Sequence, residues 1–356
     1  MNIFRYQYLL FLIGVICLAF ISLGFLIVKK DWETKIPYAN EFLPINWPKY
    51  YFDIQIRKNY QTFLGNKEYG LPSVNLVVPE KAIKALQAKV PDSIKKWQRA
   101  FVIRDDGNLK NIRIRFRGDN TTNWALNKKS YRVRINKKNY TGGIRTKDYI
   151  PPSNDRPFVL NHYATYFLSK SYGLLTPEFK FVELNINGKN QGVYYEIEKA
   201  DEGFLRRNNV MPVNLYKGEM ANSEALLGNT DTNLFINPGI WKKLSVFNLK
   251  ELDNKKDLEY LLNQLKLFEN NLISPDFFFS KFPLDYWSKF ALTGGQFHSG
   301  NTQNQRLISD TWRGWAIPII QDPLSNDFLF KHEIEEVNDD LERILNLDPM
   351  FVMKKY

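Results

Sequence analysis

The segment from Arg113 to Asn136, RIRFRGDNTTNWALNKKSYRVRIN, constrains the fold of this chain more than any other. Strand side chains point alternately to opposite faces. Ile112, Ile114 and Phe116 therefore share one face, and Arg113, Arg115 and Arg117 share the other. Arg132 and Arg134 alternate in the same way with Tyr131, Val133 and Ile135. The pattern predicts a strand, a polar loop and a second strand. If they pair, one face is apolar and the other carries up to five guanidiniums. Like charges across a sheet repel, so such a face needs carboxylates or a bound anion over it. Two readings stay open: a solvated strand face, or a surface for polyphosphate, which guanidinium binds bidentately. Gly118 in the connecting loop lets backbone N–H groups approach a phosphate, as any tight turn also would. Lys128 and Lys129 close the loop.

The rest of the chain sets the class. Its 356 residues are 44% hydrophobic and 15% aromatic, enough to pack a core and against global disorder. The net charge of +11 favours anionic partners. No zinc-finger spacing, RNP motif or basic zipper is present, so nucleic acid is not an expected partner. The single cysteine, Cys17, excludes intrachain disulfides and Cys-based metal sites.

From Tyr8 to Val28 the chain reads YLLFLIGVICLAFISLGFLIV, without a charge and long enough to cross a bilayer as a helix. The run passes straight into VKKDWETK with no small-residue cleavage site. It therefore reads as an uncleaved anchor over 1–30 rather than a signal peptide. Arg5 on one side and Lys29 and Lys30 on the other do not orient it. Residues 31–50, with Pro37, Pro44 and Pro48, read as a stalk, and a folded domain is expected over 51–356.

Within that domain, SVNLVVPEKAIKALQAKV reads as strand then helix. RPFVLNHYATYFLSKSYGLLTP reads as a helix closed by Gly173. Two β-rich runs flank Asn187-Gly188, which suits a type I′ hairpin turn, and Asp201 is placed to cap EGFLRRN. DLEYLLNQLKLFENN has helical spacing at Leu258, Leu261, Leu262, Leu265 and Phe268. SPDFFFSKF and PLDYWSKFALTGG read as two short capped helices, and RLISD and WAIPII as strands around a turn at 310–314. Strands come first and helices later, which predicts an α+β fold.

RFRGDN…W…KKSYRVRI, GLLTPEFKFVELNINGKNQGVYYEIEKAD and NLYKG, in that order, resemble the CotH (spore-coat protein H-like) kinase family over about residues 75–330. The resemblance implies an atypical protein-kinase-like fold with a β-rich lobe, a helical lobe, ATP and a divalent metal, Mg²⁺ or Mn²⁺. It implies phosphoryl transfer to a protein or cell-envelope substrate, and a domain outside the cytoplasm on a single-pass anchor. Arg117, Gly118, Lys128, Lys129 and Arg132 become the expected phosphate-binding residues. Glu196 and Glu198 alternate on the strand after the Asn-Gly turn, and Glu198 becomes the glutamate that steadies the strand lysine, with Lys129–Glu198 the expected pair. Asn304 and Asp322 bracket a strand hairpin as kinase metal ligands do, with Asp327 as a substitute, and both supply the oxygen that Mg²⁺ prefers. Five residues before Asn304, where kinases carry the catalytic aspartate, stands Ser299, with His298 beside it as the candidate base. That departure keeps a second reading open: a catalytically impaired pseudokinase that serves as a surface, assembly or anionic-polymer-binding protein.

Overall fold

The computed structural model of the chain describes residues 70–88, 96–118, 123–124, 128–136, 140, 143–152, 159–219, 233–244, 254–293, 304–321, 323 and 340–355, with scattered positions between 13 and 26. Of the expected anchor, residues 13–16 are helical, with Ile13, Val15 and Ile16 exposed. Most of the apolar run, the stalk at 31–50 and residues 51–69 lie outside the described residues. Among the described residues no helix is long and apolar enough to cross a membrane.

The chain forms two compact units. One comprises Met1–Asn136, Tyr149–Asn154 and Val182–Tyr194; the other comprises Lys137–Asp148, Asp155–Phe181 and Tyr195–Tyr356. The fold is mixed α+β, with a β-rich part and a helical part.

The β-rich unit is built on a closed barrel of order β1-β2-β3-β4-β5-β7-β6. Its strands are β1 (Ser73–Val77), β2 (Gln98–Ile103), β3 (Leu109–Phe116), β4 (Tyr131–Ile135), β5 (Thr146–Ile150), β6 (Phe179–Ile186) and β7 (Lys189–Glu198), the last three running on into the other unit. Helix α1 (Glu80–Gln87) follows β1 and buries Ala82 and Leu86. Closure comes from β1, which pairs antiparallel with β2 and parallel with β6. The Asn187-Gly188 turn has φ 53° and 77°, the left-handed pair that a type I′ turn requires. Asn187 also ties the turn to β1, accepting from Val78 N at 2.7 Å and donating to Val78 O at 2.8 Å.

The expected alternation is present. Ile112, Ile114 and Phe116 of β3 and Val133 of β4 join Ala100, Val182, Leu184 and Tyr194 in the barrel core. The arginines between them take the outer face. Each inward Ile or Leu that leaves water on folding contributes about 1.5–3 kcal/mol, which fixes the register. Strands β2 and β5 were not anticipated. The signal for β2 was its turn: Asp105-Asp106-Gly107-Asn108 closes a hairpin with β3 through Arg104 N to Asn108 O at 3.0 Å, with Gly107 at φ +77°.

In the second unit, helix α2 (Val159–Ser171) ends as expected at Gly173, φ +75°. Asp201 caps α3 (Glu202–Arg207) by accepting from Gly203 N at 2.9 Å. A four-stranded sheet follows, in the order β11-β10-β8-β9. Its strands are β8 (Asn214–Gly218), β9 (Trp241–Lys243), β10 (Gln305–Asp310) and β11 (Trp315–Pro318). The helices between are α4 (Lys256–Glu269), α5 (Pro275–Phe279) and α6 (Leu284–Leu292). Ser274 caps α5, whereas Pro283, which begins α6, makes no side-chain cap. Helices α7 (Asp340–Leu345) and α8 (Pro349–Lys355) end the chain.

Aromatic packing joins these helices. Phe268 stacks on Phe278 at 4.4 Å, and contacts continue through Phe282 and Trp287 to Phe290. Trp287 Nε1 donates to Ala316 O at 2.8 Å and Tyr286 Oη to Pro318 O at 3.1 Å, so α6 holds β11 in place.

Candidate functional site

The loop between β3 and β4 is tied at both ends. Arg117 N donates to Ser130 O at 2.9 Å and Ser130 N to Asn123 O at 2.6 Å. Gly118 has φ +83°, and a Cβ there would stand 2.5 Å from Asn123 Nδ2. The site thus needs glycine both for its left-handed backbone and for the asparagine packed against it.

The two adjacent lysines differ sharply. Lys129 turns back on its own loop: Nζ donates to Trp124 O at 2.7 Å and lies 5.7 Å from the centre of the Phe116 ring. Lys128 instead reaches strand β7, where its Nζ stands 2.6 Å from the place a Cβ on Gly192 would take. Gly192 has φ +81° and is buried on the same strand face as Tyr194, two residues along. Burial lowers the pKa of Lys128, as expected of an ammonium partly withdrawn from water. Burial also pushes the Tyr131 and Tyr194 phenols up, so both stay protonated. Three buried donors of this loop and of β7, Trp124 Nε1, Ser130 Oγ and Tyr194 Oη, have no hydrogen-bond partner among the described residues. A partly desolvated cation, in a loop that also carries unmet donors, suits an oxyanion rather than a cation.

Arg132 stands apart from Lys128. It alternates with core residue Val133, lies on the outer side of the barrel wall and pairs in register with Arg115. Gly192 escaped the sequence reading. Its signal was a glycine inside a strand, four residues past Gly188 and directly before Val193-Tyr194-Tyr195, a place where close approach of another group is a usual reason.

The expected Lys129–Glu198 pair is replaced. Glu198, 3% exposed, pairs with Arg207 of α3 and accepts from Glu178 N at 3.2 Å. Its neighbour Glu196 bonds Lys147 at 2.7 Å, with Lys180 at 3.7 Å. The capped helix α3 brings Arg207 back to Glu198, which sequence distance alone did not reveal. Burial raises the Glu198 carboxyl pKa against the pull of Arg207, and burial also raises that of Asp201.

A carboxyl whose folded pKa lies above its unfolded value stabilises fully below the unfolded value. That contribution is lost as pH rises through the folded one. The Tm of Glu198→Gln minus that of wild type is therefore expected to rise as pH is taken from about 4 to about 7. Thermal melts across that range check it. A flat or falling difference would show that Arg207 outweighs burial.

In the second unit the hairpin expected around 310–314 is present. Leu307 pairs with Pro318, and Ile319 N donates to Arg306 O at 3.0 Å. Continued by two residues, this register sets Asn304 across from Gln321. Asn304 has φ 58°, a left-handed conformation that asparagine tolerates. On the other side Gln305 pairs with Gly218 of β8, so Glu219 follows at the same sheet end, ion-paired with Lys217. His298, Ser299, Asp322 and Asp327 lie outside the described residues. Among the described residues no cluster of three His, Cys, Asp or Glu could hold a metal.

Residues 114–283 match the family described as CotH kinase protein. The match begins in β3, includes Lys128, Gly192 and Glu198, and ends before Asn304. The chain is also 28% identical over 137 residues to the inner spore coat protein H of Bacillus subtilis (strain 168). That similarity covers 38% of this chain and 36% of the relative, so the chain spans about a third of the length of the curated relative it matches. The strand–loop–strand with Gly118 and Lys128 and the Asn187-Gly188 hairpin lie within the segment over which the chain is similar to the CotH kinase family.

Proposed function

We propose that this protein is an atypical kinase that transfers the γ-phosphate of ATP, with a divalent metal, to a protein or cell-envelope substrate. The observation that carries the reading is Lys128, a partly desolvated ammonium seated against Gly192 in a loop that also carries unmet buried donors. In this reading Lys128 and the backbone around Arg117 and Gly118 hold phosphate oxygens, and Gly192 leaves room for the ammonium. Asn304, directly before β10, and Asp322 are the oxygen donors for Mg²⁺ or Mn²⁺ in this reading. The metal supplies neutralisation of phosphate charge when bound. His298 accepts the proton of the attacking hydroxyl as the γ-phosphoryl passes from ADP oxygen to the substrate oxygen. The kinase-like arrangement of lobes, a membrane anchor at Tyr8–Val28 and an extracytoplasmic domain belong to the same proposal.

The test is radiolabel transfer from ATP by the full chain, with Lys128→Met, Asp322→Ala and His298→Ala beside wild type. Label in wild type that disappears in Lys128→Met and Asp322→Ala supports catalysis, and its survival in His298→Ala would remove the base from the scheme. Ser299 at the aspartate position favours a second reading, a pseudokinase that binds nucleotide without transferring phosphate. Mg-ATP binding by calorimetry with no label transfer selects it. Absence of nucleotide binding with either metal ends both.

A further inference from the structure

We propose that the outer face of β2, β3 and β4 is a docking surface for a linear phosphate polyanion, separate from the nucleotide site. The strand registers lay out its charges. Arg99 pairs with Arg113, and Arg113 with Arg134, forming one row across three strands. The next row is Trp97, Arg115 and Arg132: Arg115 pairs with Arg132, and Trp97 follows from the pairing of Gln98 with Ile114. Neighbours within a row are about 4.5–5.5 Å apart at Cβ. Trp97 gathers two guanidiniums, Arg134 at 4.4 Å and Arg115 at 5.1 Å from its ring centre. Arg99 and Arg113 are exposed.

None of the three strands carries an Asp or a Glu. Countercharge for this face comes from outside its own strands, and directly opposed like charges weaken a sheet that has no other use for them. Every outward basic residue in both rows is arginine, whose planar fork suits phosphate oxygens better than the point charge of lysine.

The occupant is narrowed by the barrel. A closed barrel has no edge strand, so a peptide cannot dock here by adding a strand and would leave its own backbone unpaired. Trp97 already holds two guanidiniums in cation–π contact, which favours phosphate recognition by its arginines over base stacking on its ring. A base-free chain of phosphates needs only oxyanion contacts, which is what the two rows supply.

The experiment titrates the full chain with long-chain inorganic polyphosphate at several salt concentrations, with poly-glutamate and single-stranded oligo-dT as competing classes. Each phosphate contact on a single-stranded polyanion adds about 0.7 to the slope of log affinity against log salt. Five contacts give roughly a hundredfold weakening between about 50 and 200 mM salt. Arg99→Gln with Arg113→Gln is expected to reduce the slope by roughly 1.4, with a Tm at or above wild type. Lys81→Gln with Lys242→Gln removes the same net charge from other exposed positions and is expected to leave the slope unchanged. Saturating Mg-ATP is expected to leave polyphosphate bound. The proposal is overturned by an unchanged slope in the double arginine variant. Tighter binding of poly-glutamate or oligo-dT, or full displacement by Mg-ATP, overturns it equally.

Discussion

Gly192→Ala is expected to lower both stability and nucleotide affinity, whereas Gly188→Ala is expected to lower stability alone. Both glycines have left-handed backbones, φ +81° and +77°. An L side chain there costs about 1–2 kcal/mol. The surroundings differ. Nothing lies within 4 Å of a Cβ added at Gly188, while one added at Gly192 stands 2.6 Å from Lys128 Nζ. The end of a lysine is flexible, so the ammonium moves rather than the barrel, and the clash adds little to the loss of stability. Movement takes the charge off its seat. If that seat is where phosphate binds, affinity for Mg-ATP falls by at least about tenfold, or 1.4 kcal/mol. Urea unfolding of both variants gives the stability terms, and calorimetric titration with Mg-ATP gives the affinities. Equal nucleotide affinity in the two variants would detach Lys128 from the nucleotide. The stability prediction stands on backbone geometry whatever the ligand.

The parts of this fold legible in the sequence were those in which one local rule acts alone. Alternation set the faces of β3 and β4, because a one-residue slip would bury Arg113 and Arg115. The Asn187-Gly188 turn and the Asp201 cap followed from backbone chemistry that few other residues satisfy. Closure of the barrel was not legible. It depends on β1 lying parallel to β6, and no local pattern records that Ser73 will face Glu183.

The candidate site divides in the same way. Gly118 and the lysine pair stood out as a glycine loop closed by charge, but sequence gave no means of telling Lys128 from Lys129. The distinction is tertiary: Trp124 O captures one ammonium, and the missing Cβ of Gly192 admits the other. Glu198 was singled out as the partner of Lys129, but it is buried and its partner, Arg207, arrives on a helix nine residues on. The arginine stripe was legible as a face but not in its extent. The row continues onto Arg99 only because β2 pairs with β3.

Trp241→Ala is expected to cost about 3–5 kcal/mol, the range for truncating a buried aromatic side chain. Trp241 is 1% exposed and its Nε1 donates to Leu234 O at 2.7 Å. Its ring packs over Gly218, where an added Cβ would meet Trp241 and Leu234 atoms at 3.0 Å. Gly218 pairs with Trp241 on one side and with Gln305 on the other. The indole therefore fills the sheet end from which Asn304 projects. Trp241→Phe separates the contributions: it keeps most of the packing and leaves Leu234 O without its donor, a loss of about 1–3 kcal/mol. Urea midpoints at constant m-value measure both. The alanine variant is expected to lose more than the phenylalanine variant, and to weaken any Mg-dependent nucleotide binding that uses Asn304. A loss below about 1 kcal/mol in Trp241→Ala would mean that Leu234 and its neighbours refill the space, and that this sheet end does not depend on the indole.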